Sequence, residues 1–233
     1  MMQGKTIVVT GGSGALGSVV AETAAKRGAA VALIDHARTA PEGLAERIGA
    51  GALVLGGVDL TSAPAAEAAM ASVAAKFGRI DALINIAGGF HWQTVADGAI
   101  DGWERMYAIN LKTALNASKA ALPYLIESGA GRIVNVGAQS ALHAASGFGP
   151  YAASKSAVHR LTESLADELK LKGVTVNAVL PSTIDTAANR RDMPDADFSR
   201  WVQPADLAAV ILFLASDEAK AVTGALIPVL GRV

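Results

Sequence analysis

The chain has 233 residues, 52% hydrophobic and only 18% charged, which suits a single domain whose sheet is covered on both faces. A formal net charge of −1 with no basic block argues against nucleic acid as a partner, and zero cysteines exclude disulfides, thiolate metal sites and a cysteine nucleophile. The histidines show no metal-ligand spacing and no apolar run approaches the ~18 residues that cross a bilayer, so the sequence reads as a cytoplasmic protein with neither metal nor membrane partner.

Strand-like and helix-like stretches alternate throughout. The strands in chain order are 6–10, 30–35, 52–55, 81–85, 132–136, 174–179 and 226–229, most of them short, apolar and β-branched. Helical segments separate them, so the spacing predicts an α/β fold: a doubly wound, Rossmann-type parallel sheet of seven strands with helices on both faces. Two long helices are expected, at 102–128 and 151–172. The second carries Ala152, Ala153, Ala157, Leu161, Leu165 and Leu169, an apolar stripe that serves packing on the sheet, contact between subunits, or both. No linker, repeat or low-complexity stretch interrupts residues 1–233, which form one domain.

After the first strand comes Thr10-Gly11-Gly12-Ser13-Gly14-Ala15-Leu16-Gly17, leading into a helix. Glycines there let the backbone approach a pyrophosphate closely, and the helix N-terminus favours its charge. Asp35 ends the second strand, where a carboxylate accepts hydrogen bonds from both ribose hydroxyls and repels a 2′-phosphate. NAD is therefore favoured, with NADP possible because Arg38 lies close by. Asp59 either meets the adenine edge or caps the helix that follows. Tyr151 and Lys155 stand four apart on one helix face, so an ammonium beside the phenol is expected to pull its pKa down from about 10.

Together these residues resemble the short-chain dehydrogenase/reductase family along essentially the whole chain. Asn85-Ile86-Ala87-Gly88 is similar to the family's NNAG segment, and Pro181 to Thr186 is similar to its PGxxxT segment. The resemblance implies a cofactor site built from Gly11, Ser13, Gly14, Leu16, Gly17, Asp35, Asp59, Asn85, Ala87, Gly88, Tyr151, Lys155, Pro181 and Thr186. It makes Tyr151 the proton donor, Lys155 its partner and Asn110 the support of a proton relay, and it implies a homodimer or homotetramer built on the two long helices.

Ala138 stands thirteen residues before Tyr151, where the family usually carries a catalytic serine; Ser140 is nearby but, on an ungapped count, not placed for that role. The dihydropteridine reductase branch also lacks that serine, and residues 189–201 resemble it. The expectation is thus hydride transfer from NADH to a small conjugated acceptor. The alternatives are a ketone reductase or alcohol dehydrogenase that recruits Ser140, and a noncatalytic dinucleotide sensor. Phe90, Trp92, His143 and Trp201 are candidates for the substrate pocket.

Overall fold

In the computed structural model, which describes residues 2–233, the strands are β1 (Thr6–Thr10), β2 (Ala30–Ile34), β3 (Leu53–Leu55), β4 (Ala82–Asn85), β5 (Arg132–Val136), β6 (Thr175–Pro181) and β7 (Leu226–Val229). The helices are α1 (Ala15–Lys26), α2 (Leu44–Ile48), α3 (Ala63–Phe77), α4 (Ile100–Met106), α5 (Thr113–Glu127), α6 (Gly149–Leu169), α7 (Ala187–Asp192) and α8 (Pro204–Leu214). All strands pair in parallel, in the order β3-β2-β1-β4-β5-β6-β7, which is the expected doubly wound sheet.

Successive strand residues point to opposite faces, and here both faces are dry. Ile7 and Val9 of β1 enter one core with Leu33, Ile84, Val134 and Val179, covered by α1 and α8. Val8 enters the other, with Ile34, Leu83, Ile133 and Val176, beneath α3, α5 and α6. This explains why the strands read as unbroken apolar runs rather than as alternation. The chain leaves β1 toward β2 and β3, then returns to place β4 on the other side of β1. A crevice opens where that direction reverses, above the C-terminal ends of β1 and β4.

The long helix expected at 102–128 begins at Ile100 and is broken: α4 runs into a π-helical turn, Tyr107–Lys112, before α5. The extra residue in such a turn re-aims its side chains, and Asn110 lies within it. On α6 the expected stripe divides. Ala152, Leu165 and Leu169 are buried, whereas Ala153 is exposed.

A buried polar chain crosses the second core. Asn85 of β4 and Asn135 of β5 are register partners. The Asn85 Nδ2 donates to Asn135 Oδ1 at 2.8 Å and to Ser118 Oγ on α5 at 3.0 Å. Asn135 Nδ2 then donates to Thr162 Oγ1 on α6 at 2.9 Å, and the Thr162 hydroxyl donates to Val158 O at 2.8 Å. Because the threonine proton is used in the helix, its oxygen accepts, and this fixes the orientation of both amides. Replacing Asn135 with alanine leaves a buried amide proton without an acceptor, at about 1–3 kcal/mol for the unmade bond. Urea unfolding of Asn135→Ala should show a lower midpoint with an unchanged slope.

Candidate active site

The first cleft, about 610 Å³, lies over the crevice and is lined by Gly11, Ser13, Gly14, Leu16, Gly17, Asp35, Asp59, Ala87 and Gly88 among others. Its floor has no room for side chains. A Cβ on Gly11 would stand 2.9 Å from Ala87 N, and one on Gly17 would stand 2.1 Å from Gly11 O. Gly11 also has φ +65°, a conformation that glycine adopts without strain. Gly14 begins α1 with no side-chain cap, and no acid lies in the first turn. The free N–H groups there meet the electrostatic needs of a phosphate.

Asp35 stands at the rim of this cleft. Its Oδ2 accepts from Ser13 N at 2.8 Å and its Oδ1 from Ala37 N at 2.9 Å, so the acid also ties down the glycine loop. Each oxygen keeps a lone pair for a ribose hydroxyl. Asp59 is not the cap expected of it, since Ser62 occupies the N-cap of α3. It accepts instead from the Thr61 N–H at 2.9 Å and the Thr61 hydroxyl at 2.7 Å, which hold its pKa below the ordinary carboxylate value. Asn85 departs from expectation. Its side chain is committed to the buried chain between β4, β5 and α5 and lines neither cleft.

A second cleft, about 550 Å³, continues from the first over the ends of β5 and β6. It is lined by Leu16, Gly88, Phe90, Ala138, Ser140, Tyr151, Lys155, Pro181 and Thr186 among others. The structure therefore brings the glycine loop, the Tyr-Lys pair and the 181–186 segment to one place. Gly88 is threaded between Asn110 and Lys155: a Cβ there would lie 2.4 Å from Asn110 Oδ1 and 3.5 Å from Lys155 Nζ. Asn110, buried in the π-helical turn, pairs with Gly89 as a strand would, its Oδ1 accepting at 2.9 Å and its Nδ2 donating at 3.0 Å. Nδ2 also donates to Ser154 Oγ at 3.0 Å, and the Ser154 hydroxyl donates to Tyr151 O at 2.7 Å. The Asn110 side chain thus positions the 88–89 turn against α6.

The expected lowering of the Tyr151 pKa is not found. Burial pushes the phenol up to about 12, and burial pulls the Lys155 ammonium down to about 8. Lys155 Nζ donates to Val136 O at 2.7 Å, an inward bond on the sheet. Desolvation disfavours the charged form of each group, and it is the cause of both shifts. Tyr151 therefore stands as a protonated phenol at neutral pH, a proton donor ready-made.

Other expected residues part company. Phe90 lines the second cleft, but Trp92 packs against Gly147, and neither Trp92 nor His143 reaches the lining. Trp201 is buried against Phe198, with ring centroids 4.8 Å apart. The 189–201 run mostly holds itself together: Arg190 forks onto Asp185 at 2.6 and 2.7 Å and lies over the Phe198 ring at 4.7 Å. Only Asn189 and Met193 of that run reach the cleft, and Thr186 both lines it and caps α7 by accepting from Asn189 N at 3.1 Å. Sequence reasoning passed over Phe148, which also lines the cleft; it stands three residues before Tyr151, one helical turn away, and that spacing was the available signal. An ungapped count set Ser140 aside, while the alcohol-dehydrogenase alternative recruited it. A short 3-10 turn, Gln139–Ala141, carries Ser140 into the cleft lining, and Ser156 Oγ anchors that turn on Ala141 O at 2.7 Å.

Beneath this segment lies His159, which a residue-by-residue reading leaves as an ordinary helix position. It is buried, Gly137 packs directly on its Nε2, and Ala138 N approaches that nitrogen at 3.4 Å. Burial first, then the nearby Arg160 and Lys155 cations, lower its pKa to about 4. The unfolded chain binds this proton near pH 6.5 and the folded one only near 4, so stability is full above 6.5 and is lost as pH falls from there toward 4. Denaturation at pH 7.5 and pH 5 should show that loss in the wild type, and His159→Gln should shrink the difference.

The short chain dehydrogenase profile matches residues 5–197. A 2-(S)-hydroxypropyl-CoM dehydrogenase of Xanthobacter autotrophicus is 35% identical, over 96% of this chain and 94% of that protein. A 2,5-dichloro-2,5-cyclohexadiene-1,4-diol dehydrogenase of Sphingobium indicum is 32% identical, over 99% of this chain and 96% of its own length. NAD+-bound xylitol dehydrogenase superposes with a TM-score of 0.90 at 28% identity, over 99% of each chain. These relatives are alcohol and diol dehydrogenases rather than pterin reductases, which favours the alternative over the finer resemblance drawn from residues 189–201. The chain belongs to the short-chain dehydrogenase family, and it is an oxidoreductase.

Proposed function

We propose that this protein is an NAD-dependent dehydrogenase that interconverts a secondary alcohol and its ketone. The observation that carries this reading is Ser140, whose hydroxyl bonds to no described residue and lines the same cleft as Tyr151 and Lys155. A carbonyl oxygen needs more than one donor as charge develops on it, and Ser140 supplies a second beside Tyr151 although Ala138 cannot. Relatives named for hydroxypropyl and diol substrates support the same chemistry.

The residues present fit a dinucleotide: the glycine floor would collide with any side chain, and the uncapped start of α1 faces the cleft. Gly11, Gly14 and Gly17 would admit the pyrophosphate and Asp35 the ribose hydroxyls, which favours NAD over NADP. When bound, the nicotinamide exchanges a hydride at C4 with the carbinol carbon. Tyr151 Oη gives its proton to the carbonyl oxygen in reduction; in oxidation it receives the alcohol proton as the phenolate, after the phenol has lost its own proton to solvent. Lys155, with its bond to Val136 O, keeps α6 against the end of β5 and lines the same cleft as Tyr151, as a cation at pH values below about 8.

Ala138 itself favours a second reading, transfer to an acceptor already electron-poor enough to need no serine, such as a quinonoid dihydropterin.

Following NADH absorbance with secondary alcohols, ketones and quinonoid dihydropterin separates the two. On the first reading Tyr151→Phe should lower kcat by about 10²–10⁴, with NADH binding nearly unchanged. Ser140→Ala should lower kcat for a ketone by about 10²–10³. Full ketone activity in Ser140→Ala, or turnover of the pterin alone, would hand the site to the second reading. Asp35→Ala should weaken NADH binding and relax the rejection of NADPH, measured as the ratio of the two dissociation constants.

A further inference from the structure

Around the Tyr151 hydroxyl the cleft is aromatic and short of charge. The Phe90 ring meets Tyr151 edge-on, with centroids 5.0 Å apart and planes at 80°, and meets Phe148 at 5.1 Å and 52°. Phe148 in turn lies 6.5 Å from Tyr151, so the three rings form one continuous wall. Phe90 lines the cleft and is 52% exposed, so part of its ring is uncovered. Met193, carried by the segment after α7, lines the same space with a flexible apolar side chain.

Among the described residues, Tyr151 and Lys155 are the only side chains with ionisable groups that line this cleft, and Lys155 Nζ is turned inward onto Val136 O. Arg190, on α7, is committed to the Asp185 carboxylate and to the face of Phe198. An anionic substrate would leave water without meeting a counter-charge there. Ser182, Thr186 and Asn189 in the lining already bond within the protein, so a linear polyol would find Gln139, Ser140 and Thr183 as partners and would lay its remaining hydroxyls on ring faces that do not replace the hydrogen bonds they made with water. A flat neutral ring avoids both costs and gains stacking contact.

We infer that the substrate is a neutral secondary alcohol or ketone whose reacting carbon is part of, or attached to, a flat ring, an inference that rests on the alcohol–ketone reading above. The ring packs on the uncovered part of Phe90, and the oxygen points to Tyr151 and Ser140. In oxidation the carbinol C–H and O–H bonds break and the C=O double bond forms. The hydride goes to oxidised nicotinamide and the proton to the Tyr151 phenolate, formed when the phenol first loses its own proton to solvent.

The test compares 1-indanol and 1-phenylethanol with 2,3-butanediol and 3-hydroxybutyrate under saturating NAD+, in the wild type and in Phe90→Ala. The ring alcohols should lead in kcat/KM by about tenfold or more, a margin typical of apolar pocket contacts. Phe90→Ala should raise KM for 1-indanol by about tenfold, the effect of removing one aromatic partner, with a much smaller rise for 2,3-butanediol. Saturation-transfer NMR of 1-indanone on the protein should show saturation of its ring protons that weakens in the variant. A preference for 2,3-butanediol or 3-hydroxybutyrate, or an equal effect of Phe90→Ala on ring and open-chain substrates, would overturn the substrate class while leaving the alcohol reading intact. Failure to oxidise any alcohol, alongside ring-proton saturation that disappears in Phe90→Ala, would overturn the alcohol reading and leave ring recognition standing.

Discussion

The placement of α6 against the sheet is the constraint on which the site depends, and buried amides set it. Asn135 ties β5 to Thr162 in the middle of α6, and Asn110 ties the 88–89 turn to Ser154 near its start. Packing alone leaves a helix free to slide or rotate by small amounts on an apolar surface, whereas a chain of buried donors paired to fixed acceptors has one geometry, even with Asn85 Oδ1 itself left without a donor. The cost of missing that geometry is an unpaired polar group in a dry core, so the chain works as a register pin. Tyr151 and Lys155 hang from the same helix as the two pins. Their distances to Ser140, Gly88 and Val136 are therefore consequences of hydrogen bonds several ångströms beneath the cleft.

Desolvation then decides how the pinned groups behave. A cation and a phenol one helical turn apart invite the simple expectation of a stabilised phenolate. Here both are drawn toward neutrality, because burial strips solvent from the charged form of each. The inward bond from Lys155 Nζ to Val136 O fits this picture: the lysine serves the geometry of the sheet end as well as the charge of the site. His159 follows the same rule one layer lower, kept neutral by burial and by neighbouring cations. The region around α6 thus holds three titratable groups, all shifted by burial toward their uncharged forms.

Local periodicity and fixed offsets were legible in the sequence, and contacts between distant segments were not. The order of strands and helices and the glycine floor could be read because each follows from repeated spacing or from a loop's need for glycine, whereas the 181–186 segment was marked only by its resemblance to the family's PGxxxT segment. The π-helical turn at Asn110 could not, since it inserts a residue without any change in apolar pattern. Asn85 looked like a ligand because it stands close to Ala87 and Gly88, yet strand alternation turns it away from the cleft and into the amide chain. Residues 189–201 looked like a substrate signature for a related reason. Arg190 spends its side chain on Asp185 and Phe198, and Phe198 packs on Trp201, so the likeness of this run to another branch reports local folding more than a choice of substrate.

Ala138 gathers these threads. Its methyl group is buried at the edge of the cleft, and its own N–H points toward His159 beneath. The absence of a hydroxyl at this position would leave a carbonyl oxygen with Tyr151 alone, unless the backbone after it turns. It does turn: the 3-10 segment Gln139–Ala141, anchored by Ser156, carries the Ser140 side chain into the lining that Ala138 shares. A short helical turn reverses the alternation that an extended strand would impose, so a residue two places on need not copy the aim of its predecessor. The same turn shares the cleft with the ring wall of Phe90 and Phe148. Donors and ring faces together then orient a substrate by two unlike contacts, with the oxygen fixed by hydrogen bonds and the carbon frame by stacking.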